Sequence, residues 1–254
     1  MDLGLSGAVV VVTGASQGIG QEIAVAFASE GAKVAAIART ASGLAHTREL
    51  ASKVGAGNVH EFVCDIRDES QVVATLAAVG DELGSPDVVV NNAGARQLFG
   101  ELTRLSLQDW EEALASNLMG ALLVTKATLG RMIERGSGCF VNIGSIAGTR
   151  PIGRIAAYSV AKSGLHALTR AVAYEGAANG VRANVIAPGW IETPMNHELR
   201  TDKRLRSSLE AIVEGIPMRR FGKPADISSL ALFLASPLSA YITGQIYHVD
   251  GGVC

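Results

Sequence analysis

The chain has 254 residues, of which 48% are hydrophobic and 18% charged, and its formal net charge is −2. This composition suits a large packed core and excludes a disordered chain, and the lack of a long basic stripe argues against nucleic acid as the main partner. The three cysteines are too few and too scattered for a disulfide framework, which favours a reducing compartment.

The start of the chain carries no sign of a leader or an anchor. Met1 leads almost directly into the first apolar run, with no basic segment before it. No apolar run of the sequence approaches the roughly 20 residues that a membrane helix requires. We therefore expect a cytoplasmic protein that does not span a membrane.

Short apolar, β-branched runs alternate with longer helical patterns along the chain. The short runs predict strands, because nearly continuous apolar residues are typical of parallel strands buried on both faces. They are Ala8–Val12, Val34–Ala38, Val59–Val63, Val88–Asn91, Cys139–Ile143, Ala183–Ile186 and Ile246–Val249. The pattern predicts one α/β domain over residues 1–254, a doubly wound parallel sheet of about seven strands with helices on both faces.

Five helical patterns carry the clearest start or stop signals. They are Gln17–Glu30, Asp68–Leu83 with capping-box spacing between Asp68 and Gln71, a helix after Ser106, one from Ala157 to Asn179, and one that Pro224 begins.

The sequence TGASQGIG at residues 13–20 lies where the first strand turns into the first helix. The spacing of its three glycines is not that of a nucleoside triphosphatase loop, and no Lys-Ser or Lys-Thr follows. A glycine loop at a helix N-terminus suits a pyrophosphate, because unpaired N–H groups and the positive end of the helix dipole meet there. We therefore predict a dinucleotide cofactor, bound through Gly14, Ser16, Gln17, Gly18, Ile19 and Gly20.

The end of the second strand bears on the choice of dinucleotide. An acidic residue there would accept a hydrogen bond from a ribose 2′-OH, but the segment has Ala38 followed by Arg39. A guanidinium can pair with a 2′-phosphate, whereas a carboxylate would repel it. Arg39 therefore favours NADP(H) over NAD(H).

Tyr158 and Lys162 stand four residues apart in a helical pattern and so share one face. A free phenol has a pKa of about 10 and is a poor base at neutral pH, but a neighbouring ammonium favours the phenolate. Ser145 follows the fifth predicted strand, where a hydroxyl would face the crevice in which such sheets bind ligands. The three residues predict acid–base chemistry on a carbonyl or an alcohol.

Residues 190–221 interrupt the last strand–helix step and carry four basic residues between Arg200 and Arg206. Such an insertion is either a solvated surface helix or a lid, because long segments after the C-terminal end of a strand often cover active sites. We predict a substrate lid at about 190–221.

These motifs together resemble the short-chain dehydrogenase/reductase family over nearly the whole chain, and the resemblance implies a Rossmann-type fold. Cys64-Asp65-Ile66 resembles the family's adenine-pocket motif, and Asn91-Asn92-Ala93-Gly94 resembles its sheet-stabilising motif. Asn117 in Ala-Ser-Asn-Leu resembles its helical asparagine. The segment from Pro188 through Gly189 and Ile191 to Thr193 resembles the part that holds the nicotinamide carboxamide.

The resemblance implies direct hydride transfer, a catalytic set of Asn117, Ser145, Tyr158 and Lys162, and a homotetramer. Tyr158 would exchange the proton, Ser145 would bind the same oxygen, and Lys162 would also hold the nicotinamide ribose. Asn117 would anchor a water that links Lys162 to solvent. Cofactor contacts are implied for Asp65, Ile66, Asn91, Ala93, Gly94, Tyr158, Lys162, Pro188, Gly189, Ile191 and Thr193.

The substrate is less constrained. The C-terminal part, from Arg220 to Asp250-Gly-Gly, resembles the 3-oxoacyl-carrier-protein reductase branch, but Gly136 and Asn179 stand where that branch has basic docking residues and Arg135 is only adjacent. A ketone, a keto-ester or a sugar or polyol stays open. The expected wall includes the polar residues Arg96, Gln97, Arg150, Arg154 and His197 and the apolar Trp190 and Met195.

Two further classes of protein fit the motifs less well. A dinucleotide-sensing protein without activity would have no need of Tyr158. A phosphate-transferring enzyme would need a Walker lysine and a carboxylate cluster for a metal, and the sequence has neither, so we expect no metal site.

Overall fold

The computed structural model describes residues 2–95 and 99–254. Seven strands form one parallel sheet in the order β3-β2-β1-β4-β5-β6-β7. The strands are β1 Val9–Thr13, β2 Lys33–Ala38, β3 Val59–Val63, β4 Val88–Asn91, β5 Gly138–Ile143, β6 Val181–Pro188 and β7 Ile246–Val249. This confirms the predicted doubly wound parallel sheet.

The main helices lie between the strands. They are α1 Gly18–Ser29, α2 Ala41–Lys53, α3 Glu69–Leu83, α4 Leu107–Leu114, α5 Gly120–Arg135, α6 Ala156–Gly176, α7 His197–Thr201, α8 Arg206–Gly215 and α9 Pro224–Ala235. One π-helical turn, Ala115–Met119, joins α4 to α5 without a break.

Alternate residues of the strands supply two separate cores. In β1, Val10 and Val12 pack with Phe27 of α1 on one face of the sheet, whereas Val9 and Val11 belong to the cluster on the other face. Both faces of the sheet are therefore buried, which explains why the strands are nearly continuous apolar runs in the sequence.

Two helix starts show how far the capping signals reach. Ser106 and Asp109 form a full capping box at α4. At α3, the Asp68 side chain accepts from the backbone N–H groups of Ser70 and Gln71, but the Gln71 side chain accepts from the N–H of Asp65 at 3.0 Å. The second half of the predicted box is therefore replaced by a bond to the preceding loop.

One helical stretch corrects the expectation about long apolar segments. Leu107–Arg135 is 29 residues long, and an 18-residue window within it has a mean hydropathy of 1.2, so by length and composition alone it could cross a bilayer. It nevertheless packs Val124 and Met132 into the core below the sheet. The stretch therefore resembles a membrane span in length and composition, but in the described fold it is a helix that covers one face of the sheet.

The strand order reverses at β1, which has β2 on one side and β4 on the other. In doubly wound sheets, ligands bind in the crevice at the carboxyl ends of the strands beside such a reversal. The TGASQGIG loop follows β1 directly and therefore lies at this crevice.

Candidate active site

A cavity of about 650 Å³ opens at the carboxyl edge of the sheet. It runs from the loops after β2 and β3, across the glycine loop, to the loops after β5 and β6. Among the predicted site residues, those that line it are Gly14, Ser16, Gln17, Gly18, Ile19, Arg39, Asp65, Ile66, Ala93, Gly94, Asn117, Ser145, Tyr158, Lys162, Pro188, Gly189, Ile191 and Thr193.

Glycine is required in the loop for two different reasons. Gly14 and Gly18 have φ angles of +67° and +59°, in the left-handed region that side chains disfavour. Gly20 has ordinary backbone angles, but a Cβ there would collide with the amide of Asn92 and the carbonyl of Gly14. Gly20 is not among the lining residues, so it shapes the loop from behind instead of facing the cavity.

The N-terminus of α1 is not capped by a side chain. Gln17 at the N-cap position makes no side-chain bond to the first turn, and no acidic residue lies in that turn. Ser16, Gln17, Gly18 and Ile19 all line the cavity, so the free N–H groups of this 12-residue helix meet it. The arrangement fits a pyrophosphate.

Two arginines line the end of the cavity that is formed by the loops after β2 and β3. Arg39 is exposed and makes no hydrogen bond or ion pair with any described residue. Arg67 grips Asp65 with two nitrogens, Nε at 3.0 Å and Nη2 at 2.5 Å. Arg67, and more weakly Arg39, hold the pKa of Asp65 below its usual range. Among the described residues, Arg39 is therefore a cation without an ion pair at this end of the cavity, which fits an additional phosphate.

Asn91 supports the sheet and is not among the lining residues. Its Nδ2 is buried and donates to Thr125 Oγ1 at 3.2 Å and to Asn142 Oδ1 at 2.9 Å. The next residue, Asn92, ties the glycine loop down by donating to the carbonyls of Thr13 at 3.0 Å and Gly14 at 3.2 Å. The motif at the end of β4 therefore supports the sheet through Asn91, positions the glycine loop through Asn92, and faces the cavity through Ala93 and Gly94.

Ser145, Tyr158 and Lys162 all line the cavity. Ser145 follows β5, and its Oγ accepts from the N–H of Ala147 at 3.1 Å. Lys162 Nζ lies 5.8 Å from the centroid of the Tyr158 ring and donates to the carbonyl of Ile143 at 2.9 Å. Only 4% of Lys162 is exposed, and this burial lowers its pKa to about 8.

Asn117 lies in the π-helical turn between α4 and α5 and is buried. Its Nδ2 donates to the carbonyl of Ala113 at 3.0 Å, while its Oδ1 has no hydrogen-bond partner among the described residues. A Cβ built on Gly94 would stand 2.6 Å from this Oδ1 and 3.7 Å from Lys162 Nζ. Asn117 therefore presents a free acceptor close to the lysine, and the lack of a side chain on Gly94 keeps it accessible.

The segment after β6 closes the cavity at its other end. Gly189 donates its N–H to Val249 at 3.0 Å, and a Cβ on Gly189 would stand 2.7 Å from the Asp250 side chain. The N–H of Gly222 donates to the carbonyl of Trp190 at 2.9 Å, and the N–H of Glu192 donates to the carbonyl of Gly222 at 2.9 Å. These bonds pin the base of the 190–221 insertion to the start of α9.

The insertion itself is mostly helical and reaches the cavity with Met195, Leu199 and Leu205. The three arginines of its basic run are paired: Arg200 with Glu192, Arg204 with Asp202 and Arg206 with Glu210. The run is therefore not an open cationic patch in the part of the chain whose side chains are described.

Several predicted substrate residues lie elsewhere. Arg150, Arg154 and His197 do not line the cavity, whereas Trp190 and Met195 do. Arg96 and Gln97 lie outside the described residues.

Some lining residues were not predicted from the sequence, chiefly Arg67, Phe99, Ser116, Glu198, Leu199 and Leu205. Arg67 could have been found from its place two residues after Asp65. The others depend on long-range folding of the loops.

His166 is a buried histidine behind the active site that the sequence analysis did not single out. It stands one turn beyond Lys162 in α6, and a Cβ on either Gly144 or Gly148 would collide with its ring. Its Nε2 has no partner among the described residues. Burial, and then the nearby charges of Lys162, His248 and Arg170, lower its pKa to about 4.

No group of three His, Cys, Asp or Glu side chains within the described ranges could hold a metal ion. The lining residues instead fit an organic dinucleotide: an uncapped helix N-terminus, an unpaired arginine and a buried lysine lie along one cavity.

Known proteins match the chain over nearly its full length. A family model described as enoyl-(acyl carrier protein) reductase matches residues 14–254. The 3-oxoacyl-(acyl-carrier-protein) reductase of Vibrio cholerae is 37% identical and aligns over 99% of both chains. The D-threitol dehydrogenase of Mycolicibacterium smegmatis is 38% identical, over 99% of this chain and 94% of its own.

Solved structures agree with these matches. An actinorhodin polyketide ketoreductase variant with NADPH superimposes with a TM-score of 0.92 at 34% identity, over 97% of both chains. An NAD⁺-bound xylitol dehydrogenase gives a TM-score of 0.92 at 28% identity, over 98% of this chain and 99% of its own. The chain therefore belongs to the short-chain dehydrogenase/reductase family, in its 3-oxoacyl-(acyl-carrier-protein) reductase-like branch, and is an oxidoreductase acting on CH–OH groups.

Proposed function

We propose that the protein is an NADP(H)-dependent oxidoreductase that interconverts a ketone and a secondary alcohol. The observation that carries the proposal is the convergence of Ser145, Tyr158 and Lys162 on the same cavity as the uncapped N-terminus of α1. Proton chemistry at a carbonyl and a phosphate-binding helix end are thereby adjacent, as a nicotinamide-dependent reaction requires.

When bound, the nicotinamide supplies the hydride. Gly14 and the residues from Ser16 to Ile19 would hold the pyrophosphate, and Asp65 and Ile66 the adenine. Pro188, Gly189, Ile191 and Thr193 would hold the nicotinamide end. Each of these residues lines the cavity.

The proton is handled by the chain's own residues. In the direction of reduction, Tyr158 Oη gives its proton to the oxygen that becomes the alcohol, and Ser145 Oγ donates a hydrogen bond to the same oxygen. The positive charge of Lys162, 5.8 Å from the tyrosine ring centroid, favours the phenolate and so lowers the cost of that transfer. Asn117 Oδ1 offers an acceptor through which a water would resupply protons to Lys162.

The preference for NADP(H) rests on Arg39. Its guanidinium faces the cavity after β2 without a described partner, and Arg67 already neutralises the carboxylate of Asp65. A 2′-phosphate would therefore meet an unpaired cation and a neutralised acid. The structural relatives include proteins with NADPH and with NAD⁺, so the preference is a property to be tested on this chain.

Acyl-carrier-protein reduction and polyol oxidation are the alternatives that the relatives suggest. Docking of an acidic carrier receives no support from Arg135, because its guanidinium already donates to the carbonyls of Pro86 at 2.8 Å and Ser137 at 3.2 Å and pairs with Asp87 at 3.4 Å. The cytoplasmic location, the homotetramer and the lid formed by about residues 190–221 stay predictions from the sequence.

The test is consumption of NADPH and NADH across aliphatic ketones, aryl ketones, β-keto esters, acyl thioesters and keto sugars, with equilibrium binding of both cofactors measured in parallel. We expect turnover of at least one ketone class with NADPH. NADPH binding without turnover of any compound would instead support a dinucleotide-sensing protein.

A further inference from the structure

The part of the cavity beyond Tyr158 and Ser145 is walled by large apolar side chains. Phe99 comes from the loop after β4, Trp190 from the base of the insertion, and Met195, Leu199 and Leu205 from the insertion itself. The sheet order places them at the far side from Arg39 and Asp65, which follow β2 and β3. These five residues, here named the apolar wall, therefore face the substrate and not the adenosine end.

Trp190 is held as a fixed part of this wall. Its ring packs on the buried ring of Phe221, with centroids 5.7 Å apart and planes inclined at 33°. The backbone carbonyl of Trp190 accepts from the N–H of Gly222 at 2.9 Å, so the backbone of Trp190 is held in place as well. A large flat surface is thus preformed in the same cavity as the hydroxyls of Ser145 and Tyr158, so a substrate that binds against it orders few protein groups.

Apart from Thr193, which we assign to the nicotinamide end, the polar side chains of the insertion that line the cavity are already engaged. Asn196 donates from Nδ2 to the carbonyl of Ile191 at 2.6 Å and accepts at Oδ1 from the N–H of Thr193 at 3.1 Å. Glu198 also has a partner. Among the described residues, the cations that line the cavity are Arg39, Arg67 and Lys162, and none of them belongs to the apolar wall.

Two members of the apolar wall lie at its mouth and are exposed. Phe99 is 65% exposed and Met195 is 44% exposed. An apolar substrate would remove this surface from water, which is favourable, whereas a polyol would lose hydrogen bonds to water and find engaged groups in exchange. A substrate carboxylate would lose its hydration without meeting a cation among the described residues of the wall.

We propose that the substrate is an uncharged ketone with a bulky apolar group, best an aryl group, that packs against Trp190. This inference rests on the proposed ketone reductase function and narrows its substrate class. Trp190 is then a specificity-determining residue, and Phe221 positions it from behind.

The first experiment compares kcat/KM with NADPH for three ketones: propiophenone (aryl), erythrulose (a keto sugar) and acetoacetate (an anion). We expect propiophenone to exceed both others by tenfold or more, about what a few buried carbons contribute to discrimination in an apolar pocket. Trp190→Ala should lower kcat/KM for propiophenone by about tenfold or more and leave NADPH binding unchanged. A higher kcat/KM for erythrulose or acetoacetate would overturn the inference while leaving ketone reduction intact.

The second experiment reads binding without turnover. The chain has two tryptophans, so a Trp110→Phe variant leaves Trp190 as the sole tryptophan reporter, and Trp190→Phe is the matched control that leaves Trp110. Titration with 1-phenylpropan-1-ol should change the emission of the Trp110→Phe variant saturably, while the Trp190→Phe variant should not respond. An equal response to erythritol, or none to the aryl alcohol, would refute the apolar wall as a binding site even if no ketone were turned over.

Discussion

Lys162 Nζ stands 5.8 Å from the centroid of the Tyr158 ring and is anchored by the carbonyl of Ile143 at 2.9 Å. The carbonyl is the last of β5, so the same strand end that presents Ser145 also fixes the lysine. A buried cation beside a phenol favours its ionised form. The end of β5 therefore holds Lys162 in place beside Tyr158, the predicted acid–base residue.

Tyr158→Phe should remove the proton donor while keeping the ring that packs beside Lys162. We expect kcat to fall by a factor of about 10² to 10⁴, the usual contribution of a positioned acid or base. The Kd for NADPH, measured by fluorescence titration, should stay near the wild-type value. A variant that kept most of its kcat would show that another group exchanges the proton.

Arg39→Asp should reverse the cofactor preference. The variant loses a cation that faces the cavity and places a carboxylate where a 2′-phosphate would lie. Loss of a charged hydrogen bond worth about 1.5–3 kcal/mol predicts a roughly 10- to 100-fold weaker Kd for NADPH, with NADH retained or improved.

The control for this change is Arg131→Asp, which alters the charge equally on α5, away from the cavity. The ratio of kcat/KM for NADPH and NADH should move in the Arg39 variant alone. The same ratio in both variants would mean that net charge, and not the position of Arg39, determines the preference.

The sequence predicts the sheet well because its strands are buried on both faces. The predicted Val59–Val63, Val88–Asn91 and Ile246–Val249 match the observed strands, whereas β6 extends beyond Ala183–Ile186 to Val181–Pro188. Arg182 and Pro188 interrupted the apolar run at either end, but strand pairing with β5 and β7 carries the backbone through both. Tertiary pairing here outweighs the local pattern.

The site is predictable where one short motif carries it and unpredictable where distant loops meet. The glycine loop, Arg39 and the Tyr158–Lys162 pair all line the cavity as expected from local sequence. The Oδ1 of Asn117, which has no hydrogen-bond partner among the described residues, depends on a π-helical turn that has no sequence signal of its own. The apolar wall likewise depends on how the insertion folds back over the sheet.

His166 predicts a pH dependence of stability. Its pKa is about 4 in the folded chain and about 6.5 when unfolded, so between these values the unfolded state binds more protons. Stability should therefore fall as the pH drops from 6.5 towards 4, by at most about 1.4 kcal/mol per pH unit from this residue. The buried ring faces Lys162, Arg170 and His248, whose charges oppose its protonation.

Urea unfolding of the wild type and of His166→Gln at pH 7 and pH 5 measures this effect. The variant should lose less stability between the two pH values than the wild type does. His46→Gln, at an exposed position of α2, is the matched control. Equal losses in the wild type and in His166→Gln would show that other groups cause the acid sensitivity.

Two helical glycines should respond to alanine in opposite ways. A Cβ on Gly20 would collide with the Asn92 amide and the Gly14 carbonyl, and Asn92 is the residue that pins the glycine loop. Gly20→Ala should therefore displace the loop and weaken NADPH binding by tenfold or more, about the loss of one charged hydrogen bond. Gly130 in α5 has no atom within 4 Å of the added carbon, so Gly130→Ala should stabilise the protein by about 0.5–1 kcal/mol.

The two variants make one comparison, because each adds the same methyl group within a helix. Urea unfolding and NADPH titration on both would separate helix propensity from loop displacement. We expect the Gly130 variant to bind NADPH like the wild type and the Gly20 variant to lose both binding and stability. Normal NADPH binding by Gly20→Ala would mean that the loop tolerates a shift of Asn92, and that the cofactor is held mainly by contacts beyond the glycine loop.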